Sequence, residues 1–306
     1  MANITAQDVK VLRERTGVGM MDCKRALVEA EGDMEKAIVL LREKGLATVA
    51  KKAGRIAAEG TIAIYNQNGV AVLLEVNAET DFVGKNEKFQ EFAAKVAQIV
   101  AEKNPADVEA LNATEYEAGK TVEETRQDLV MVIRENITVR RFLRVEGAVA
   151  TYNHGNGKIG VISQFETTAE AAATAEFAAC GKDVAMQVAA LNPTYLNKES
   201  VPQAVIDGEL EICMAQIKND PKMANKPDAV IEKIASGRMG KFYEANCLTE
   251  QAFFKDETVT VGKYIANTAK ALGADLKLVN VYRFEKGEGI EKREDNFADE
   301  VAKMVK

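Results

Sequence analysis

Gly60-Thr61-Ile62-Ala63-Ile64-Tyr65-Asn66 returns later in the chain as Gly147-Ala148-Val149-Ala150-Thr151-Tyr152-Asn153. Glycine, alanine, tyrosine and asparagine keep the same spacing in both β-type runs. Val70-Ala71-Val72-Leu73 after the first matches Ile159-Gly160-Val161-Ile162 after the second. The link Asn66-Gln67-Asn68-Gly69 carries the Asn-Gly signal of a hairpin, and the second copy has a slightly longer turn. Each copy then runs into an alanine-rich helical pattern that stops at Asn-Pro, at Asn104-Pro105 and Asn192-Pro193. The first of these, from about Asn86, places Phe89, Phe92, Ala93, Val96, Ile99 and Val100 on one face. A repeated strand–strand–helix unit, spaced too widely for a solenoid, predicts two side-by-side α+β subdomains.

Ahead of the first copy the period is helical. Thr5-x-x-Asp8 caps a helix carrying Val9 and Leu12, which Gly17 and Gly19 stop. A second helix bears Met20, Cys23, Ala26, Leu27 and Ala30 and ends at Gly32; Asp33 caps a third with Ala37, Ile38 and Leu41. A Lys-, Ala- and Gly-rich connector is expected from Ala47 to Gly60. Through Arg55 this module holds 11 basic and 8 acidic residues in a chain whose net charge is −7. That asymmetry suits an acidic partner surface, although solvated helix faces give the same pattern and carry more weight. A helical stretch containing Val130 to Ile133 separates the copies. After the second copy, helices over Val201 to Ile217 and Asp228 to Ala235, joined by Asn219-Asp220-Pro221, predict a hairpin standing out from the core. Its Val205, Ile212, Met214 and Ile217 need cover. Leu276 to Phe284 reads as a strand, and a short acidic helix is expected around Phe297 to Met304.

With 306 residues, 47% hydrophobic and 28% charged, this is the composition of a folded protein of roughly two domains. Acidic residues outnumber basic ones, 47 to 40, which opposes a protein built mainly to grip a phosphate backbone. Cys23, Cys180, Cys213 and Cys247 stand alone, without the spacing of a disulfide framework or a zinc site, and reduced thiols fit best. His154 is the single histidine, so a multi-histidine metal site is excluded. No leader pattern and no apolar run of membrane-spanning length is read.

Gly155-Asn156-Gly157-Lys158-Ile159-Gly160 is a literal GxGxxG, but the following Val161 to Phe165 reads as a strand where a dinucleotide fingerprint needs a helix. No GxxxxGK[ST] loop occurs. Thr80-Asp81-Phe82-Val83 sets a carboxylate and two apolar side chains between a strand and a helix. Spacing favours Phe82 tucked under its own helix with Thr80 or Asp81 capping, over a functional loop. Met20 and Met21 are adjacent, so both cannot face inward on one helix; one is expected to be exposed, and methionine suits adaptable partner surfaces.

Leu12-Arg13-Glu14-Arg15-Thr16-Gly17-Val18-Gly19-Met20-Met21-Asp22-Cys23-Lys24, Thr80-Asp81-Phe82-Val83, Gly237-Arg238-Met239 and Arg283-Phe284-Glu285-Lys286-Gly287-Glu288-Gly289-Ile290 closely resemble the bacterial elongation factor Ts family, from Ala2 to the C-terminal helix. The resemblance implies an α+β fold with a three-helix ubiquitin-associated-like head over residues 1–54 and a core subdomain over 55–146. A second core subdomain would lie at 147–195 and 249–286, interrupted by a helical insertion at 196–248 that some members use to dimerise. A C-terminal module would occupy 287–306. The implied function is guanine nucleotide exchange on elongation factor Tu, in its GDP-bound and nucleotide-free forms, in the cytoplasm. Neither bond chemistry, a cofactor, a metal, direct nucleic-acid contact nor a membrane is implied.

By the same resemblance the loop Thr80, Asp81, Phe82 and Val83 dislocates the GTPase's magnesium. Leu12, Arg13, Met20, Met21 and Lys24 grip a helix of its nucleotide domain, and Ile133, His154 and Phe254 are further partner positions. Two departures stand out: Gly84, often alanine, would loosen the loop, and Gln251-Ala252-Phe253-Phe254-Lys255 replaces a Gln-Pro-Phe-Val-Met type segment. The alternative is a non-catalytic intracellular adaptor docking through its head.

Overall fold

The computed structural model describes residues 4–220, 223 and 226–291. Helix α1 (Ala6–Thr16) opens on a capping box between Thr5 and Asp8 and ends at Gly17 in the left-handed region. Helices α2 (Met20–Glu29) and α3 (Met34–Lys52) follow, the latter capped by the Asp33 carboxylate. They bury Leu12, Cys23, Leu27 and Ala37 between them. The expected connector begins later than the sequence suggested. Helix α3 runs on through Ala47–Lys52, because alanine and lysine favour helix and Val49 finds a seat on the neighbouring core.

Strands β1 (Glu59–Gln67) and β2 (Val70–Ala78) form the expected hairpin, with Asn68 and Gly69 at φ 52° and 72°. A single helical turn, α4 (Asp81–Gly84), precedes α5 (Glu87–Lys103), which Asn86 caps and Asn104 ends. Beyond it lie α6 (Val108–Ala113), a ribbon of β3 (Glu115–Glu117) and β4 (Lys120–Thr121), α7 (Val122–Ile133) and β5 (Thr138–Glu146). The sequence showed only the helical stretch here, since the ribbon strands are too short to display alternation.

The second copy begins with β6 (Ala148–His154) and β7 (Ile159–Glu166), then α8 (Ala169–Ala172) and α9 (Ala175–Leu191), which ends at a left-handed Asn192 just as α5 ends at Asn104. The chain leaves at Tyr195 and returns at Cys247, and these two form a parallel bridge. Between them stand α10 (Gln203–Asn219) and α11 (Asp228–Asn246), the second longer than expected because Gly237 and Gly240 do not interrupt it. Ile217, Ile231 and Ala235 join this hairpin, so Ile217 finds its cover there, while Ile212 remains exposed. The ribbon β8 (Ala252–Phe253) and β9 (Asp256–Thr260), α12 (Val261–Leu272) and β10 (Lys277–Glu285) complete the second half. The helix expected around Phe297 to Met304 lies outside the described residues.

Two antiparallel three-stranded sheets result, β1-β2-β5 and β10-β7-β6, in an α+β architecture. Alternation along β2 explains the layers. Val72, Leu74, Val76 and Ala78 face α5, whereas Ala71 and Leu73 join Ile62, Val145, Val149 and Ile162 between the sheets. In the second half, Val161 and Phe165 pack on Phe177, Val184, Val188 and Ile265 of α9 and α12. The sheets thus lie face to face, each with helices on its outer side. The GxGxxG stretch is the β6–β7 turn, with a strand and not a helix after it. A Cβ at Gly157 would lie 2.0 Å from Thr61 Oγ1 and its carbonyl accepts from Ile62 N–H at 2.8 Å, so the glycine lets two sheets meet.

Candidate functional site

Strand β2 delivers the chain, fully buried at Ala78, to the turn Glu79-Thr80 and then to α4. Within α4, Val83 is buried in the core beneath α5 and Gly84 presses on β1. A Cβ at Gly84 would come to 2.7 Å from the Gly60 carbonyl oxygen, so this glycine permits a tight seat and does not loosen the turn. With Val83 and Gly84 held inward, Phe82 points out and is 80% exposed. The expectation that Phe82 tucks under its own helix therefore fails. So does the capping expectation: Thr80 makes no side-chain cap to α4, and Asn86 caps α5. An unburied phenylalanine contributes almost nothing to folding, and covering it against a partner is worth roughly 1.5–3 kcal/mol.

Asp81 is exposed, and its carboxylate accepts from Lys85 Nζ at 2.8 Å. This hydrogen bond, reinforced by the charges of Lys85 and Lys286, holds the Asp81 carboxyl below its ordinary range. Exposed pairs at i,i+4 add little stability, so Asp81 is a charge kept available beside Phe82. Thr80 is turned the other way. Its N–H donates to Glu135 Oε2 at 2.9 Å and its hydroxyl to Oε1 at 2.7 Å.

On the head, Met20 and Met21 open α2 and are 53% and 64% exposed. Both thus face solvent, where the sequence allowed for one, because α2 turns Cys23, Ala26 and Leu27 inward and leaves its first two residues outside the core. Lys24 and Arg13 are also exposed. Leu12 is 0% exposed, in the core of the head. In the free chain it packs with Val9, Cys23 and Leu27 and sets α1 against α2. Ile133, at the end of α7, is half-buried against the first core, and Arg134 after it is left-handed at φ 66°. Arg134 pairs with Asp22 of α2, which ties this end of α7 to the head.

His154 ends β6, exposed, with Nδ1 3.0 Å from the Tyr152 hydroxyl. The neighbouring Asn153 and Asn156 line a groove that continues to Gly84 and Lys85, so the β6–β7 turn and α4 share one face. Phe254 is exposed at the β8–β9 turn, its N–H held by Gln187 Oε1 at 3.0 Å. Sequence reasoning missed Glu79, Glu135 and Asn136, which carry no motif of their own.

Among the described residues no group of three or more His, Cys, Asp or Glu side chains could hold a metal ion, and no helix is long and apolar enough to cross a membrane. Burial pushes the Cys23, Cys180 and Cys247 thiols up, which leaves them poor nucleophiles.

The family model described as Elongation factor TS matches residues 79–288. The chain is 50% identical to elongation factor Ts of Clostridioides difficile over the full length of both. It is 48% identical to that of Clostridium kluyveri and 46% identical to that of Syntrophotalea carbinolica, in each case over 99% of both chains.

Proposed function

The chain belongs to the elongation factor Ts family, and from that premise we propose that it accelerates GDP release from elongation factor Tu by inserting Phe82 and Asp81 beside the GTPase's magnesium and phosphate site. It is a translation elongation factor. The observation that carries the exchange reading is the exposure of Phe82 on a turn whose flanking residues are fixed in the core. GDP is held in such a GTPase largely by a phosphate-binding loop and Mg²⁺. A wedge that displaces the metal's supporting groups removes much of that grip without a nucleotide site of its own, and makes or breaks no bond. We assign the α1–α3 module as the ubiquitin-associated-like head and the two sheet-and-helix units as the core subdomains, acting in the cytoplasm.

Stopped-flow release of a fluorescent GDP analogue from elongation factor Tu, with wild type, Asp81→Ala and Phe82→Ala, tests this reading. Acceleration by wild type that falls in the variants supports it; no acceleration by wild type ends it. An adaptor docking through its head would leave nucleotide release untouched.

The head supplies affinity in this scheme. Two exposed thioethers at the start of α2 form an adaptable apolar spot on a head that also exposes Arg13 and Lys24. The double variant Met20→Ala/Met21→Ala should raise the factor concentration for half-maximal release about tenfold, at an unchanged maximal rate. A lowered maximal rate at unchanged half-saturation would move the head into the chemistry of release.

We also assign the exposed Ile212 face of the α10–α11 hairpin to a second copy of the chain. Sedimentation velocity should show a wild-type dimer that Ile212→Glu dissociates; a monomeric wild type removes the assignment.

A further inference from the structure

We infer that Glu135 is a positioning residue for the Asp81-Phe82 turn, and that its carboxylate fixes where Phe82 points. The inference deepens the exchange reading, and its kinetic arm rests on that reading.

Helix α4 is one turn long, too short to hold itself. What holds its entrance is a reciprocal clasp between two turns. From one side, both oxygens of Glu135 are taken by Thr80, at 2.9 Å by the N–H and 2.7 Å by the hydroxyl. From the other, Glu79 Oε1 accepts the N–H of Asn136 at 2.6 Å and its carboxylate also meets Arg55 at 3.3 Å. Each turn therefore offers a backbone N–H to the other's carboxylate.

A carboxylate suits this task. It presents two acceptors in a fork, matched here to an N–H and an O–H on one residue, and charge-assisted bonds of this kind are roughly twice as strong as neutral ones. The Glu135 turn is itself anchored. Lys52 of α3 donates to the Arg134 carbonyl, the Arg134 side chain pairs with Asp22 of α2, and the buried Asn136 donates from Nδ2 to the Arg55 carbonyl at 2.9 Å. The turn that braces Phe82 is thus bonded to the head that docks the partner. A force on Phe82 meets a stop that the docked head holds in place.

The test uses the full chain with Glu135→Ala and Glu135→Gln, each alone and combined with Phe82→Ala. Glu135→Ala should lower the maximal GDP release rate about tenfold, with half-saturation shifted by less than about twofold. Glu135→Gln, whose amide oxygen keeps one acceptor, should fall between. On the Phe82→Ala background Glu135→Ala should add nothing, because the group it positions is gone. Amide hydrogen exchange read on the free protein should show Thr80 exchanging about tenfold faster in Glu135→Ala, with the change confined to residues 80–84. Equal losses on both backgrounds, or an unchanged maximal rate, overturn the positioning role. Should wild type fail to accelerate release at all, the exchange reading falls separately. The amide measurement then decides alone: faster exchange confined to the turn sustains the brace, and unchanged exchange removes it.

Discussion

Phe82→Ala is expected to cut the maximal acceleration of GDP release from elongation factor Tu about 10- to 100-fold, the rate equivalent of roughly 1.5–3 kcal/mol of phenylalanine burial. Most of that energy is available to the partner because little of it is used in folding: Phe82 is 80% exposed in the free protein. Stability should therefore stay within about 0.5 kcal/mol of wild type, as for an ordinary surface substitution. Only contacts stronger in the displaced state than in the initial encounter speed release, so the loss should appear in the maximal rate and not in half-saturation. Linkage adds a second readout. Whatever factor the protein weakens GDP by, GDP must weaken the protein's binding by the same factor, and Phe82→Ala should shrink both together. Asp81→Ala should cost less, since its carboxylate is already partly engaged by Lys85. Stopped flow on the three proteins checks the order. A Phe82→Ala protein as fast as wild type would remove the wedge and leave release to the head and the second half.

The two-copy architecture was legible because period and punctuation agree. Asn68-Gly69 makes the turn, Asn104 and Asn192 end the equivalent helices in the left-handed region, and every apolar residue assigned to the face of α5 is buried. Local signals of this kind survive in the sequence because the backbone itself reads them. The orientation of Phe82 was not legible. An apolar residue one turn ahead of a helix is as well explained by a staple as by a probe, and what decides is the contact of Gly84 with Gly60 and of Thr80 with Glu135, both distant in sequence. Leu12 shows the converse: a residue inside a recognisable motif lies in the core of the head, while Met20 and Met21 of the same motif are exposed. The length of α3 was missed because, beyond the helix preference of its alanines and lysines, its last turns rest on the seat of Val49 and on the Lys52–Arg134 bond, neither of which has a local signature.

Long-range bonding also sets the largest expected stability effect, at Glu75. Alternation places it between the two sheets, 0% exposed, where an isolated carboxylate would be costly. It is fully engaged. Arg140 Nη1 donates at 3.0 Å, Arg141 Nε at 2.6 Å, the Gly287 N–H at 2.8 Å and Asn77 Nδ2 at 3.1 Å. Burial alone would push the carboxyl up, but these hydrogen bonds, led by Gly287, outweigh it and hold it below its ordinary value of 4.5. Arg141 also stacks on Phe284 and pairs with Glu288, so one carboxylate joins β2, β5 and the segment after β10.

Removing one partner of a buried ion pair costs about 3–5 kcal/mol. Both arginines retain some contact with water, which places Glu75→Ala near the lower end, at about 3 kcal/mol. Glu75→Gln, which keeps the shape and one acceptor, should lose about half as much. The sign of the pH dependence follows from the depressed carboxyl. At pH near 4 the unfolded chain binds more protons at this position than the folded one, so the contribution is complete above about pH 4.5 and falls away as pH drops below it. Denaturant unfolding of wild type and Glu75→Gln should therefore differ most near neutral pH and converge in acid. Curves separated by the same amount at pH 7 and pH 3 would show that Glu75 acts by packing alone, and that the charge between the sheets does not hold them together.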